Sequence, residues 1–307
     1  MLAAVVLTAC QTQQGQPDTP MVGEQIVTEN RSGVVVRRKG KVRGLARRSS
    51  SRAASVVERA RTPRAYVPRK PGRRVSHVNV PGKYVALTFD DGPSAAYTPQ
   101  VLDILKRHGA RATFFVVGRS AAANKGILAR AVSEGHEIAN HTYSHIKMTA
   151  KSRQAVANEI ERTNAIIKSA TGYSPTVMRP PYGAVNSGLV DMMYNRYGFY
   201  TVLWDVDTRD WQKPGVSKVV SRAVGQAQPG SIILLHDIHA STLAAVEQVV
   251  TGLQARGYKL VTVSQLIAMG RRASGDVSPA SPEGAVTAPA TGGADIQPVA
   301  ATASESL

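Results

Sequence analysis

The sequence predicts an α/β fold: a distorted, incomplete (β/α) barrel of about seven parallel strands, flanked by disordered N- and C-terminal segments. Three observations lead to it. Short runs rich in β-branched, aromatic and other apolar residues recur at 85–89, 112–117, 137–139, 176–178, 199–203, 231–235 and 259–261. Helical patterns separate several of them, at 99–107, 150–170, 216–227 and 241–256. Strand then helix, repeated, argues for a parallel sheet with helices outside it. The alternation fills roughly 190 residues, one domain's worth of chain, and seven strands fall short of the eight that close a barrel.

The segments outside the alternation are of a different kind. Residues 1–10, MLAAVVLTAC, are a short apolar run ending in Cys10, the single cysteine of the 307 residues, so no intramolecular disulfide is possible. The run is too short to span a bilayer, which takes about 20 apolar residues, and suits a signal-peptide core better. Leu7-Thr8-Ala9-Cys10 resembles the lipobox of bacterial lipoproteins, which implies lipidation at Cys10 and membrane attachment. No Lys or Arg precedes it, so either the true start lies upstream or the match is accidental.

Residues 11–80 carry 16 Lys and Arg against 4 Asp and Glu, which is +12 of the formal +17. They show no sustained apolar period and read as a basic disordered tether. Such a tether would favour an anionic envelope polymer or lipid head groups; a solvated linker is the competing reading, and no specific nucleic-acid partner is expected. Residues 271–307, rich in Ala, Pro, Ser and Gly, read as a disordered tail. The domain is thereby placed at 81–270.

Within the domain, the first strand ends in Asp90 and Asp91, two adjacent carboxylates with no basic neighbour in sequence. In a barrel of this type chemistry gathers at the C-terminal strand ends. The third strand is followed by NHTYSH, where His141 and His145 are four residues apart. On a helical turn the two would face one way and grip one ion. Two His and one carboxylate with an open position form a catalytic zinc set. One Asp could then bind the cation while the other takes a proton from water, and the cation relieves their repulsion. An ordinary turn after a strand is the bland alternative for Asp-Asp-Gly-Pro.

Further clusters end later strands: Met178–Gly183, Asp207–Trp211 and Leu234–Asp237. Together the five segments (88–92, 141–145, 179–183, 207–211, 234–237) resemble, in order, the motifs of the polysaccharide deacetylases of the NodB-homology type, carbohydrate esterase family 4, over about residues 83–270. The resemblance implies a divalent metal, zinc or in some members cobalt or nickel, on Asp91, His141 and His145. It implies Asp90 as general base, oriented by Arg179, and His236 as general acid, oriented by Asp210. It also implies an oxyanion donor in the Tyr182 N–H and an acetyl pocket walled by Trp211 and Leu234.

The expected activity is metal-dependent N-deacetylation of N-acetylglucosamine residues, in peptidoglycan first and in chitin-type oligomers or poly-N-acetylglucosamine next. O-deacetylation of acetylated xylan and a non-catalytic wall- or polyanion-binding role are the alternatives. The expected location is the bacterial cell envelope, with the enzyme on a lipid anchor facing the periplasm or the outside. Other histidines receive ordinary roles: His77 in the tether, His108 at a helix end, His136 structural, and His239 near the cleft. Trp204 is expected in the core.

Overall fold

The computed structural model describes residues 72–276. The expectations for residues 1–71, Cys10 among them, and for 277–307 lie outside the described residues. In chain order the elements are β1 (Arg74–Val75), β2 (Tyr84–Asp90), α1 (Thr98–Arg107), β3 (Ala112–Val116), α2 (Gly118–Ala123), α3 (Lys125–Ser133) and β4 (Glu137–Asn140). There follow α4 (Arg153–Thr171), β5 (Val177–Met178), α5 (Ser187–Tyr197), β6 (Tyr200–Val202), β7 (Val206–Asp207), α6 (Val216–Gln226), β8 (Ile232–His236), α7 (Ala240–Ala255), β9 (Lys259–Leu260) and α8 (Val263–Ala273). The strands form one sheet in the order β1-β6-β5-β4-β3-β2-β8-β7, with β9 paired to the start of β2. All of these pairings are parallel. The sheet curls through 252° and stays open, with β1 and β7 as its edges.

Alternation along the central strands sorts their side chains into two cores. Leu87, Phe89, Phe114, Val116, Ile138, Ile233 and Leu235 face outward and pack with α1, α3, α6 and α7. Ala86, Phe115, Ala139, Val177, Val202 and Ile232 face inward, where Val263, Leu266 and Ile267 of α8 join them. Strands buried on both faces read as continuous apolar runs, which is why β2, β3 and β8 stood out in the sequence. Helix ends follow local chemistry. Ser152 caps α4 by accepting from the Ala155 N–H at 3.2 Å, and Gly172 ends that helix at φ 82°. Thr262 and Gln265 form a capping box at the start of α8. No helix among the described residues is long and apolar enough to cross a membrane.

Both domain borders differ from the sequence expectation. Residues 74–80 belong to the fold and not to a tether. β1 pairs with β6, and Val75, Val78 and Val80 are buried. The Val78 N–H donates to the Gly230 carbonyl at 3.0 Å. Gly230, at φ 93°, lies so close that a Cβ there would overlap the Val78 carbonyl. His77, expected in the tether, is 2.8 Å from Asp205, which also accepts from Ser231 Oγ at 2.8 Å. This strap is basic and short, so composition masks its three buried valines. At the other border α8 runs on to Ala273 and buries Arg271.

The strap's contribution is measurable. Val78→Ala removes two buried methyl-sized groups, worth about 1.6 kcal/mol at ~0.8 kcal/mol each. The urea midpoint of the full chain should fall accordingly, with an unchanged slope. An unaltered midpoint would show that the strap is not part of the cooperative unit.

Candidate active site

Strand register brings the proposed proton carriers together. Asp90, the last residue of β2, is the registered neighbour of His236, the last residue of β8. On the other side Asp90 pairs with Phe115, Val116 with Asn140, and Asn140 with Met178. The chain therefore leaves β2, β4, β5 and β8 at one level, which is where Asp90, His141, Arg179 and His236 stand.

Asp90 is held from below. Thr88 and Asp90, two apart on β2, both meet Arg179, whose side chain is fully buried. Arg179 Nη1 donates to Asp90 Oδ1 at 2.6 Å and to Thr88 Oγ1 at 2.8 Å. Its Nη2 donates to the Leu203 carbonyl at 3.0 Å. The guanidinium carbon lies 4.1 Å from the Phe115 ring centroid and 5.6 Å from that of Trp204. Burial pulls the Arg179 pKa down, and the charge and hydrogen bond of Asp90 oppose it. A guanidinium starts so high that it stays charged.

Asp91, His141 and His145 converge above this pair, with donor atoms all within 4.8 Å of one another. Asp91 Oδ1 lies 3.4 Å from His141 Nε2 and 3.1 Å from His145 Nε2. It is buried and makes no well-aligned hydrogen bond. Burial pushes the Asp91 carboxyl up, but the two histidines outweigh it and hold the group well below the usual carboxylate range. A buried, orphaned carboxylate oxygen facing two imidazole nitrogens fits a divalent cation with a nitrogen–oxygen ligand set. His141 and His145 are the pair that the sequence spacing singled out, and Asp91 is the carboxylate that the family resemblance added to them. The local structure is different from the expected helical turn. Residues 141–147 form an irregular loop in which Thr142 (φ 64°) and His145 (φ 59°) are left-handed.

On the opposite side His236 is held by Asp210. Its Nδ1 is 2.8 Å from Asp210 Oδ1, and its backbone N–H donates to Oδ2 at 2.8 Å. Thr242 Oγ1 donates to the same carboxylate at 2.6 Å. Burial works against a charged His236 ring, but Asp210, aided by the charges of Asp90 and Asp91, outweighs it and raises the pKa to about 9. Burial also raises Asp210, and its hydrogen bonds with His236 and Thr242 more than reverse that. With Nδ1 engaged, Nε2 is the nitrogen left for the cleft.

Around these groups stand the remaining expected residues. Tyr182 (φ 62°) and Trp211 are the exposed large hydrophobics of the described domain, at 68% and 53%. Leu234 is buried on β8. Trp204 is only partly buried and stacks near Arg179, so it is part of the floor of the site as well as of the core. His108 ends α1 and lies 3.0 Å from Glu247. His136 accepts from the Ala112 N–H at 3.2 Å, and burial lowers its pKa to about 4, consistent with a structural histidine. His239 is the residue before α7, its ring 6.5 Å from that of His236.

Three supports had no assignment from the sequence. Thr88 shares Arg179 with Asp90, and Thr242 completes the shell of Asp210. Asp237, beside the proposed acid, accepts from Thr98 Oγ1 and fills the space over Gly92, where a Cβ would collide with its carboxylate. It fastens the loop carrying Asp91 to the strand carrying His236. Its side chain follows an inward-facing His in sequence, and nothing in the spacing revealed its partner 139 residues away.

The comparisons with known proteins agree with this geometry. A family described as polysaccharide deacetylase matches residues 77–202. A peptidoglycan-N-acetylglucosamine deacetylase of Bacillus cereus is 38% identical over 190 residues, 60% of this chain and 88% of that protein. The chain belongs to the polysaccharide deacetylase family. The peptidoglycan-N-acetylglucosamine deacetylase PgdA of Listeria monocytogenes is 44% identical over 184 residues, 60% of this chain. The chain spans about two fifths, 39%, of that relative's length. Among solved structures, peptidoglycan deacetylase PdaC of Bacillus subtilis superposes with a TM-score of 0.58 at 41% identity, covering 62% of this chain and 92% of that one. The deacetylase-family domain thus occupies the described residues, and its motif residues stand in the places set out above.

Two outcomes follow for the purified protein. Asp91→Asn should lose the divalent ion that the wild type retains after dialysis, whereas Asp90→Asn should keep it; metal content by mass spectrometry decides, and the reverse pattern would swap the two roles. In the metal-free protein, Asp210→Asn removes the principal group that raises His236. The His236 titration followed by NMR should then fall from about 9 toward or below 6.5.

Proposed function

We propose that the protein is a metal-dependent N-deacetylase that hydrolyses the acetamide of N-acetylglucosamine residues, in peptidoglycan first and in chitin-type oligomers next. The observation that carries this reading is the pairing of two differently supported proton carriers across one strand pair. Asp90 is tied to Arg179, His236 is tied to Asp210, and the Asp91–His141–His145 cluster lies beside them.

Amide hydrolysis needs a base for the attacking water, a stabilised oxyanion and an acid for the leaving amine. A divalent cation, zinc by preference with cobalt or nickel as alternatives, would be held by Asp91, His141 and His145. When bound it supplies Lewis acidity, polarising the acetyl carbonyl and acidifying water. Asp90, fixed through Oδ1 by Arg179, has Oδ2 free to take the proton as water attacks. The Tyr182 N–H would donate to the developing oxyanion; one such donor is typically worth about 10²–10³ in rate. His236, held protonated, gives its Nε2 proton to the nitrogen as the carbon–nitrogen bond breaks. Acetate and a free amine result, and the amine leaves neutral and not as an anion. Trp211 and Leu234 would wall the acetyl methyl group.

The intact set of acid, base and metal-ligand residues favours an enzyme over a non-catalytic wall-binding protein. The choice of peptidoglycan follows the activity that gives the Listeria and Bacillus relatives their names. Attachment to the envelope through Cys10, and contact of the basic tract with anionic envelope polymers, are part of this proposal and stand on the sequence. The same motifs would serve O-deacetylation, and the nature of the acetylated substrate separates the two activities.

Acetate release is the test, over peptidoglycan, N-acetylglucosamine oligomers and acetylated xylan, each with and without a chelator. Release from the first two, abolished by chelation and restored by zinc, is expected. Asp90→Asn and His236→Ala should lose roughly 10²–10⁴ in kcat with little change in KM, since neither group is needed to bind the ground state. Undiminished release by metal-free protein would overturn the mechanism.

A further inference from the structure

Both histidines of the proposed metal site are held, at the nitrogen facing away from Asp91, by the same four-residue segment. His141 Nδ1 lies 2.7 Å from the carbonyl oxygen of Arg179. His145 Nδ1 lies 3.2 Å from the phenol oxygen of Tyr182. The two cases differ chemically. A carbonyl can only accept, so the His141 hydrogen is on Nδ1 and its Nε2 lone pair is free. A phenol can accept or donate. If Tyr182 donated, the hydrogen of a neutral His145 ring would sit on Nε2, pointing at Asp91 Oδ1 3.1 Å away, and no lone pair would be available to a cation.

Other features make the phenol the active part of Tyr182. The side chain is the most exposed of the domain's large hydrophobics, so burial does not explain a tyrosine there. Its ring meets the His145 ring edge-on, with centroids 4.6 Å apart and planes at 67°. The backbone that delivers it is left-handed, at φ 62°, a conformation that is costly for a residue with a Cβ. That conformation is held by the adjacent turn, where the Gly183 N–H donates to the Pro180 carbonyl at 3.0 Å. A relaxed backbone would withdraw the phenol from His145.

We propose that Tyr182 is a positioning residue for the metal ligand His145. Its phenol oxygen accepts from Nδ1–H and so keeps Nε2 as the donor, completing for His145 what the Arg179 carbonyl does for His141. Tyr182 then has two tasks carried by different atoms, the side-chain oxygen for the ligand and the backbone N–H for the oxyanion. This inference rests on the reading that Asp91, His141 and His145 hold a divalent cation. Outer partners of ligating histidines are typically worth 10–100-fold in metal affinity.

The test is zinc affinity, measured on the full-length chain by competition with a chromophoric chelator, without any substrate. Wild type, Tyr182→Phe, Tyr182→Ala and Asp91→Asn would be compared, with circular dichroism confirming that each is folded. Tyr182→Phe keeps the ring and deletes only the oxygen, and should weaken zinc binding about 10- to 100-fold. Tyr182→Ala should weaken it at least as much, and Asp91→Asn most of all. Unchanged affinity in Tyr182→Phe would overturn the proposal, whether or not Tyr182→Ala is weakened, because the ring and not the oxygen would then be responsible. A wild type that binds no zinc, cobalt or nickel would overturn the reading of the metal site together with this inference. A wild type that binds zinc while Tyr182→Phe binds it equally well would remove only the inference.

Discussion

The buried pair of Arg179 and Asp90 is the interaction on which the rest of the site depends. A guanidinium with no solvent contact needs partners for its donors, and here they come from two other strands. Asp90 and Thr88 are on β2, Arg179 follows β5, and Leu203 follows β6. The side chain thus ties the middle of the open sheet to its β1 side through the barrel interior, where apolar residues alone would set no register. Removing one partner of such a pair leaves an uncompensated buried charge, at a cost of about 3–5 kcal/mol. The same residue offers its carbonyl to His141, so the orientation of the proposed base and that of a metal ligand share one support.

Strain is concentrated around that support. All six non-glycine residues with positive φ among the described residues, namely Asp91, Thr142, His145, Tyr182, Arg209 and Lys213, lie in loops at the C-terminal strand ends. Each such conformation costs of order 1–3 kcal/mol and persists only where the surroundings over-determine it. The surroundings here are identifiable. Asp237 packs on Gly92 beside Asp91, Glu159 accepts from both the N–H and the hydroxyl of Ser144 beside His145, and Asp210 is fixed from three directions next to Arg209. The strands are rigid and buried, and the chemistry is carried where the chain departs from them.

That arrangement explains what could be seen in the sequence and what could not. The central strands β2, β3 and β8 were visible because burial on both faces makes their residues apolar without interruption. Strands β1 and β7 were missed: each is two residues long, and the first is enclosed in a basic stretch. Helices α2, α3, α5 and α8 were also missed: α2 is six residues long and built mostly of small residues, whereas α8 is amphipathic and its end was read as the start of the tail. The family motifs named every residue that the structure gathers into the Asp90–Arg179 pair, the His236–Asp210 pair and the Asp91–His141–His145 cluster. They did not convey the irregular loop beneath His141 and His145, since a spacing of four fits a helical turn equally well. Nor did they point to Thr88, Thr242 or Asp237 as supports, because the partners of a buried polar group are set by tertiary contact and leave no local pattern.

The two proposed proton carriers show how one parallel sheet can prepare opposite chemistry at adjacent positions. Asp90 and His236 are registered neighbours on β2 and β8, so their backbones meet in the same environment. Their supports come from opposite sides: a buried cation through β5 for one, a buried carboxylate following β7 for the other. Arg179 gives Asp90 two reasons to stay in place, a hydrogen bond and a charge. Asp210 gives His236 the same with the sign reversed, and the ring is held protonated to about 9. A cation on Asp91 would repel that ring, yet Asp210 bonds it directly, and a direct hydrogen-bonded charge outweighs a more distant one of opposite effect. The separation of base from acid is therefore built into which strand supplies each partner. A one-residue slip of β8 against β2 would carry His236 out of line with Asp90 and turn its side chain to the other face of the sheet. The register is fixed on the opposite face of the sheet, by the outward packing of Phe89, Ile233 and Leu235 against the helices, so the apolar core sets the distance over which the proposed reaction must pass its protons.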